Sequence, residues 1–213
     1  MAVEVNWDQA ASITSASAAV VALAISVYQI RLSNKQSLFD RRLSIWTVAE
    51  ELLELYKDNQ AQLEKGDEPQ FGLEFVFICL TNSSYMHEIG PAVEHPLEIE
   101  FQRPFLVKLE ELKSLSLKAK FAFKGSSAEV ISRFLDSYQR LLFAIYQYQV
   151  LMNKAEENSR RFHRDLLQAC DAVREPERRK NLYLAYDEAS EAYEMLANSD
   201  VIRKIEKQIK LVW

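Results

Sequence analysis

The stretch Gln9–Ile30, QAASITSASAAVVALAISVYQI, decides how the rest of the chain is read. None of its twenty-two residues carries a charge. As a helix rising about 1.5 Å per residue it reaches about 33 Å, enough for a hydrocarbon core of about 30 Å. Trp7 and Tyr28 would stand about 31 Å apart on that helix, the separation of two aromatic belts. Charge returns abruptly with Arg31, Lys35, Arg41 and Arg42, whereas residues 1–8 contain Glu4 and Asp8 and no lysine or arginine. The positive-inside rule then predicts an outside tail at 1–8, a transmembrane helix at 9–30 and a cytoplasmic remainder, in a single-pass inner-membrane protein. Two other readings compete. Ala22-Leu23-Ala24 has the small-x-small form of a cleavage site, although the acidic tail lacks the basic region that opens a signal peptide. Ser12, Thr14, Ser15, Ser17 and Ser26 dilute the hydrophobicity and would also suit a buried helix of a soluble protein.

Within the span the small residues are ordered. Ser12, Ser15, Ala19, Ala22, Ser26 and Gln29 recur at 3-4-3-4-3 spacing, one seam of a 3.5-residue repeat. Asp8 precedes them in phase, and Ser33, Gln36 and Asp40 follow. Ile13, Val20, Val21, Leu23, Ile25 and Val27 take the other faces and suit lipid. A stripe of small residues lets helix backbones approach closely where apolar burial itself gives no driving force, so the chain is expected to form a homo-oligomer through this seam. A seam meant only for packing should turn apolar on leaving the membrane. This one stays polar until Leu43, and so resembles the wall of a narrow wet lumen; a tight alanine/serine helix contact with polar ends is the alternative.

Beyond the span the pattern predicts an all-α protein. The 213 residues contain only four glycines and five prolines, too few for the turns of sandwiches and barrels. RLSNKQSLFDRRLSIWTVAEELLELYKDNQAQLEK extends the helix to Lys65, with Leu32, Phe39, Leu43, Trp46 and Leu53 as an apolar face. One rigid helix of about fifty-five residues, able to transmit movement, is the expectation, with 31–65 as its juxtamembrane part and a turn at Gly66-Asp67-Glu68-Pro69. Residues 66–213 then form a cytoplasmic helical bundle. Phe71 to Ile89 reads as a short buried helix, with a strand as runner-up, and Gly90-Pro91 and His95-Pro96 bracket a loop. A helix over Leu97–Lys124 is either kinked or split at Pro104. Ser126-Ser127-Ala128-Glu129 has the form of a capping box and opens a helix that runs on towards Arg174. Helices from Pro176 to Ala197 and from Ser199 onward complete the bundle.

Chemistry is hard to find. No glycine-rich loop precedes a helix, and neither HExxH nor CxxC occurs, so no phosphate cradle or zinc site is predicted. Cys79 and Cys170 lie far apart, which excludes a disulfide scaffold. His87, His95 and His163 share no helix face. No catalytic residue, metal or cofactor is expected, and the chain is not read as an enzyme. With 26 Lys+Arg against 31 Asp+Glu the formal charge is −5, so no global basic field points to nucleic acid. Two local clusters remain: Lys154, Arg160, Arg161, His163 and Arg164, then Arg174, Arg178, Arg179 and Lys180. Folded together by a hairpin about Pro176, Arg160, Arg161, Arg164, Arg178 and Arg179 would make a pocket for a phosphate-bearing ligand. Interleaved Glu156, Glu157, Asp165, Glu175 and Glu177 argue instead for a solvated, ion-paired face. The final helix, with Arg203, Lys204, Lys207 and Lys210 beside Ile205, Ile209, Val212 and Trp213, suits a membrane surface or a core-docked position.

A short outside tail, one small-residue span, a juxtamembrane KQSLFDRRL segment and an all-α cytoplasmic part together resemble small bacterial single-span membrane effectors of antiviral defence. These include pore-forming accessories of CRISPR loci and Hailong-type channel partners. The resemblance is architectural and covers chiefly residues 1–60. It implies a homo-oligomeric pore, gated by a cytoplasmic signal, that depolarises an infected cell. The regulator would be a nucleotide, a short oligonucleotide or a partner protein of the defence system. A non-conducting anchor or scaffold whose helical domain binds a partner protein is the alternative.

Overall fold

The computed structural model describes residues 7–60, 72–163 and 165–210, except the side chains of 7–14, 166 and 167. The described residues form α1 (Trp7–Asp58), α2 (Leu73–Thr81), a 3-10 helix (His87–Val93), α3 (Ile99–Ala122), α4 (Ser126–Phe162), α5 (Leu166–Ala172), α6 (Glu175–Ala197) and α7 (Ser199–Ile209). No strand occurs among them. The fold is all-α, as the scarcity of glycine and proline predicts.

The described residues divide into two units, one ending at Arg41 and the other Arg42–Lys210. In the first, α1 continues without glycine or proline to interrupt it. Val20, Val21, Leu23, Ile25, Tyr28 and Ile30 are each more than half exposed. Among the described residues this is one helix long and apolar enough to cross a membrane, and none of its apolar window is buried. Among the described residues none buries this window, whereas the soluble-helix alternative expects a covered core position.

The second unit is built around α4. Its Ile131, Phe134, Leu135, Tyr138, Leu141, Leu142 and Ile145 are fully buried, a stripe wide enough to be packed from several sides. α6 lies along it with Leu182, Ala185, Ala189, Ala192 and Leu196, a 3-4-3-4 row of mostly small residues that permits close approach. Arg133 pairs with Glu191 at 2.7 Å and Arg140 with Glu188 at 3.3 Å, so the two helices run antiparallel. α3 packs on another flank, where Ser116 Oγ donates to the Ser132 carbonyl at 2.9 Å in a buried small-residue contact. The last turns of α1 add Ala49, Leu52 and Tyr56, the Tyr56 ring stacking on Tyr193 with centroids 4.9 Å apart. α2 and the 3-10 helix close the core with Phe77, Leu80, Ile89 and Val93, and the Tyr138 hydroxyl donates to the Leu80 carbonyl at 2.6 Å.

Several local expectations need correction. Trp46 and Leu53 are buried but Leu43 is 42% exposed, so the apolar face starts at Ile45. Gly90-Pro91 lies inside the 3-10 helix rather than in a loop, because Ile89, Ala92 and Val93 are drawn into the core at its spacing. α3 runs through Pro104 unbroken. The proline removes only a bond to the carbonyl of Glu100 in the exposed first turn. The capping box does not form: Gly125, with φ 62°, is the N-cap and no side chain caps the helix. α4 stops at Phe162, where His163 turns left-handed at φ 49°, and Arg174 does the same at φ 56° before α6. The reversal between α4 and α6 is thus made through α5, not about Pro176. Lys65 and the turn at Gly66-Asp67-Glu68-Pro69 lie outside the described residues.

Candidate functional site

The predicted anion pocket is distributed rather than gathered. Arg160 reaches back to Glu156 at 3.5 Å on an open face that also carries Glu157 and Arg161. Arg161 stacks over the Phe162 ring at 5.6 Å. Arg164 lies outside the described residues. Arg179 turns inward, and only Arg178 faces a cleft, one of about 460 Å³. Lys154 of α4 stands with it there. Leu106, Phe143, Val150 and Leu151 supply the apolar lining, and Tyr146 and Gln147 the polar groups. Lys154 was visible in the sequence as one member of a basic run. Its separation from Arg160 and Arg161 was not: phase turns Arg160 to another face, and Arg161, nearly in phase with Lys154, stands about 10 Å farther along α4.

Arg179 belongs to a buried link. Its Nε donates to Glu175 Oε1 at 2.7 Å, and the Tyr148 hydroxyl donates to the same oxygen. Glu175 is only 3% exposed. The hydrogen bond from Arg179 to Glu175 holds the guanidinium's pKa well above its ordinary value. Burial, then the hydrogen bond to Glu175, pushes the Tyr148 phenol far up. The guanidinium therefore stays charged and the phenol neutral, and the three groups pin the first turns of α6 to α4. Glu175 was read as one of several solvated carboxylates, and burial gives it this different role.

A second polar joint was not anticipated. Arg42 is half-buried, its Nε donating to the Ala122 carbonyl and its Nη1 to the Gln208 carbonyl, both at 2.6 Å. Those carbonyls belong to the last turns of α3 and α7, where four oxygens lack helical partners and the helix dipoles place negative charge. The guanidinium lies 5.9 Å from the Phe123 ring. Burial lowers its pKa, and the two carbonyls supply the compensating acceptors. Around it the Lys124 amide donates to Gln208 Oε1 at 2.8 Å, and Gln208 Nε2 returns to the Lys124 carbonyl at 3.2 Å.

Along the seam, the side chains of Asp8 and Ser12 lie outside the description. Ser15, Ala19, Ala22, Ser26 and Gln29 are all exposed on α1. Ser26 Oγ donates to the Ala22 carbonyl at 2.8 Å, so this hydroxyl is satisfied by its own helix. Ser33, Gln36 and Asp40 are exposed as well. His87 Nδ1 lies 3.0 Å from the Ser84 carbonyl, and His95 Nδ1 2.9 Å from Glu98 Oε1. Among the described residues no group of three or more His, Cys, Asp and Glu side chains is placed to hold a metal.

No protein-family model, curated protein or solved structure matches the chain.

Proposed function

We propose that the chain is a single-span, self-associating membrane effector whose helical domain gates a pore, with its N-terminus outside and its domain in the cytoplasm. The observation that carries the reading is the unbroken α1, whose apolar stretch is left wholly uncovered. Water does not tolerate such a surface on a monomer, and a bilayer does. The seam of Asp8, Ser12, Ser15, Ala19, Ala22, Ser26 and Gln29 supplies the self-contact, since small residues allow helices to meet in lipid. Regulation is assigned to the cleft that holds Lys154 and Arg178. Two cations over an apolar lining suit a ligand with an anionic head and a flat or apolar body, a description that includes a nucleotide. The antiviral setting rests on the architectural resemblance alone.

A second reading, a non-conducting anchor or scaffold, has its own support: Ser26 turns its hydroxyl to its own backbone, as a packing seam would. Thiol accessibility separates the two. Single cysteines at Ser15, Ala19, Ala22 and Ser26 should react with a small charged reagent in liposomes that show ion flux, while those at Val20, Leu23 and Val27 stay protected. Burial raises both native thiols, Cys79 and Cys170, so they contribute a low background. Uniform protection with no flux would establish the scaffold.

A further inference from the structure

The C-terminal turns of α3 present an unusual edge. Phe121 is 89% exposed, and Leu117, one turn before it, is 51% exposed. Two residues on, Phe123 is fully buried beside Arg42, so the exposure of Phe121 is not a consequence of a frayed end. From Leu112 to Ala128 the chain carries Lys113, Lys118, Lys120 and Lys124 and no acidic residue. All four lysines are exposed, and none is in an ion pair with another described residue. The reciprocal bonds between Lys124 and Gln208 bring the end of α7 alongside, and with it exposed Lys207 and Lys210. Glu110 and Glu111, the latter paired with Lys108 at 2.7 Å, and Glu129 in the first turn of α4 bound this run in sequence, and Glu206, paired with Lys210 at 3.8 Å, stands on α7. A chain of net charge −5 has thus concentrated cations around one protruding aromatic ring.

We propose that this edge, Leu117 and Phe121 with Lys118, Lys120 and Lys124, docks on an anionic lipid headgroup surface. An aromatic ring ringed by long basic side chains matches a bilayer interface in both parts: the ring enters the headgroup boundary and the ammoniums meet phosphates. A second copy of the same edge would bring like charges face to face in an isologous contact, which disfavours self-association here. The inference rests on α1 crossing a bilayer. Arg42, which grips this edge, follows Arg31 by eleven residues, about 17 Å of helix. A tether that short keeps the edge close to any membrane α1 crosses, whatever the angle between them, so that weak contacts suffice. Each cation near an anionic leaflet contributes about fivefold in partitioning, and salt screens it.

The test is amine footprinting of the full-length chain in nanodiscs of phosphatidylcholine, with and without phosphatidylglycerol. Lys118, Lys120 and Lys124 should acetylate several-fold more slowly in the anionic discs, while exposed Lys154 on α4 does not change. High salt, or Phe121→Asp, should remove the protection; Phe121 packs against so little that its replacement leaves the fold intact. Equal reactivity in both disc types overturns the docking and leaves the span untouched. Protection that appears equally in detergent and grows with protein concentration also overturns it, in favour of a second copy. A chain that fails to enter discs at all removes the span reading and this one together.

Discussion

Arg41 and Arg42 are adjacent and chemically identical, and in the sequence both count only as charges that orient the span. The structure separates them: Arg41 is exposed, while Arg42 spans the ends of α3 and α7. No local pattern distinguishes the two, because the acceptors are 80 and 166 residues away. Removal of the side chain leaves two helix-terminal carbonyls without a charged donor, at about 1.5–3 kcal/mol for each such bond. Arg42 is only half-buried, so water offsets part of this, and Arg42→Ala should lower stability by about 2–4 kcal/mol, read from thermal unfolding of the detergent-solubilised chain. Arg42→Lys should recover little, since an ammonium cannot reproduce a planar fork that reaches two carbonyls. Glu51 gives a pH signature at the same scale. Burial acts to raise its pKa, but hydrogen bonds from Ser83, Ser84 and Tyr85 together outweigh this and leave it below the ordinary value. A depressed pKa contributes stability that is fully present above the unfolded value, about 4.3, and lost as pH falls through the folded one. Below about pH 4.3, Glu51→Gln should therefore flatten part of the acid loss of melting temperature. An unchanged profile would place the carboxylate outside the folding linkage.

At the level of elements, the sequence exposes helices far better than their ends. α6 and α7 lie close to their expected bounds because Pro176 and Ser199 are ordinary helix-start residues. The break at Phe162 escapes the sequence because His163 and Arg174, not glycines, adopt the left-handed conformation. The seam on α1 has a different kind of legibility. Its spacing is visible, yet a strict 3.5-residue repeat drifts about 20° per heptad on a straight helix, so from Ser12 to Asp40 it turns through about 80°. Helices that keep the seam in contact must coil around one another with a left-handed twist. Bulk at its centre should then be felt strongly. Leucine at both Ala19 and Ala22 should dissociate the detergent-solubilised oligomer, as measured by light scattering, while leucine at Val20 and Val21 leaves its mass unchanged. Equal effects at the two pairs would mean that this face is not the contact.

Across the whole molecule, Arg42, Lys154, Arg160, Arg161, Arg178 and Arg179 divide among three kinds of environment, and this division yields a prediction the sequence alone could not. Arg42 and Arg179 are bound by the protein itself, to helix carbonyls and to Glu175. Arg160 and Arg161 lie with Glu156 and Glu157 on an open face. Lys154 and Arg178 line the cleft beside Leu106 and Phe143. A linear reading places Arg160, Arg161, Arg178 and Arg179 in one pocket, because it knows which residues are near in sequence but not which already have partners. If the cleft receives the regulator, Lys154→Glu with Arg178→Glu should abolish regulated ion flux in liposomes and leave the oligomer's mass and melting temperature nearly unchanged. Arg160→Glu with Arg161→Glu should preserve regulation, since exposed pairs of this kind contribute at most about 1 kcal/mol. Arg179→Ala should behave differently from both: it strands Glu175 in a buried site and should cost about 3 kcal/mol, so that flux falls in step with folded protein rather than with ligand response. Loss of regulation in the Arg160 and Arg161 variant, with the Lys154 and Arg178 variant still responsive, would move the ligand from the cleft to the open face.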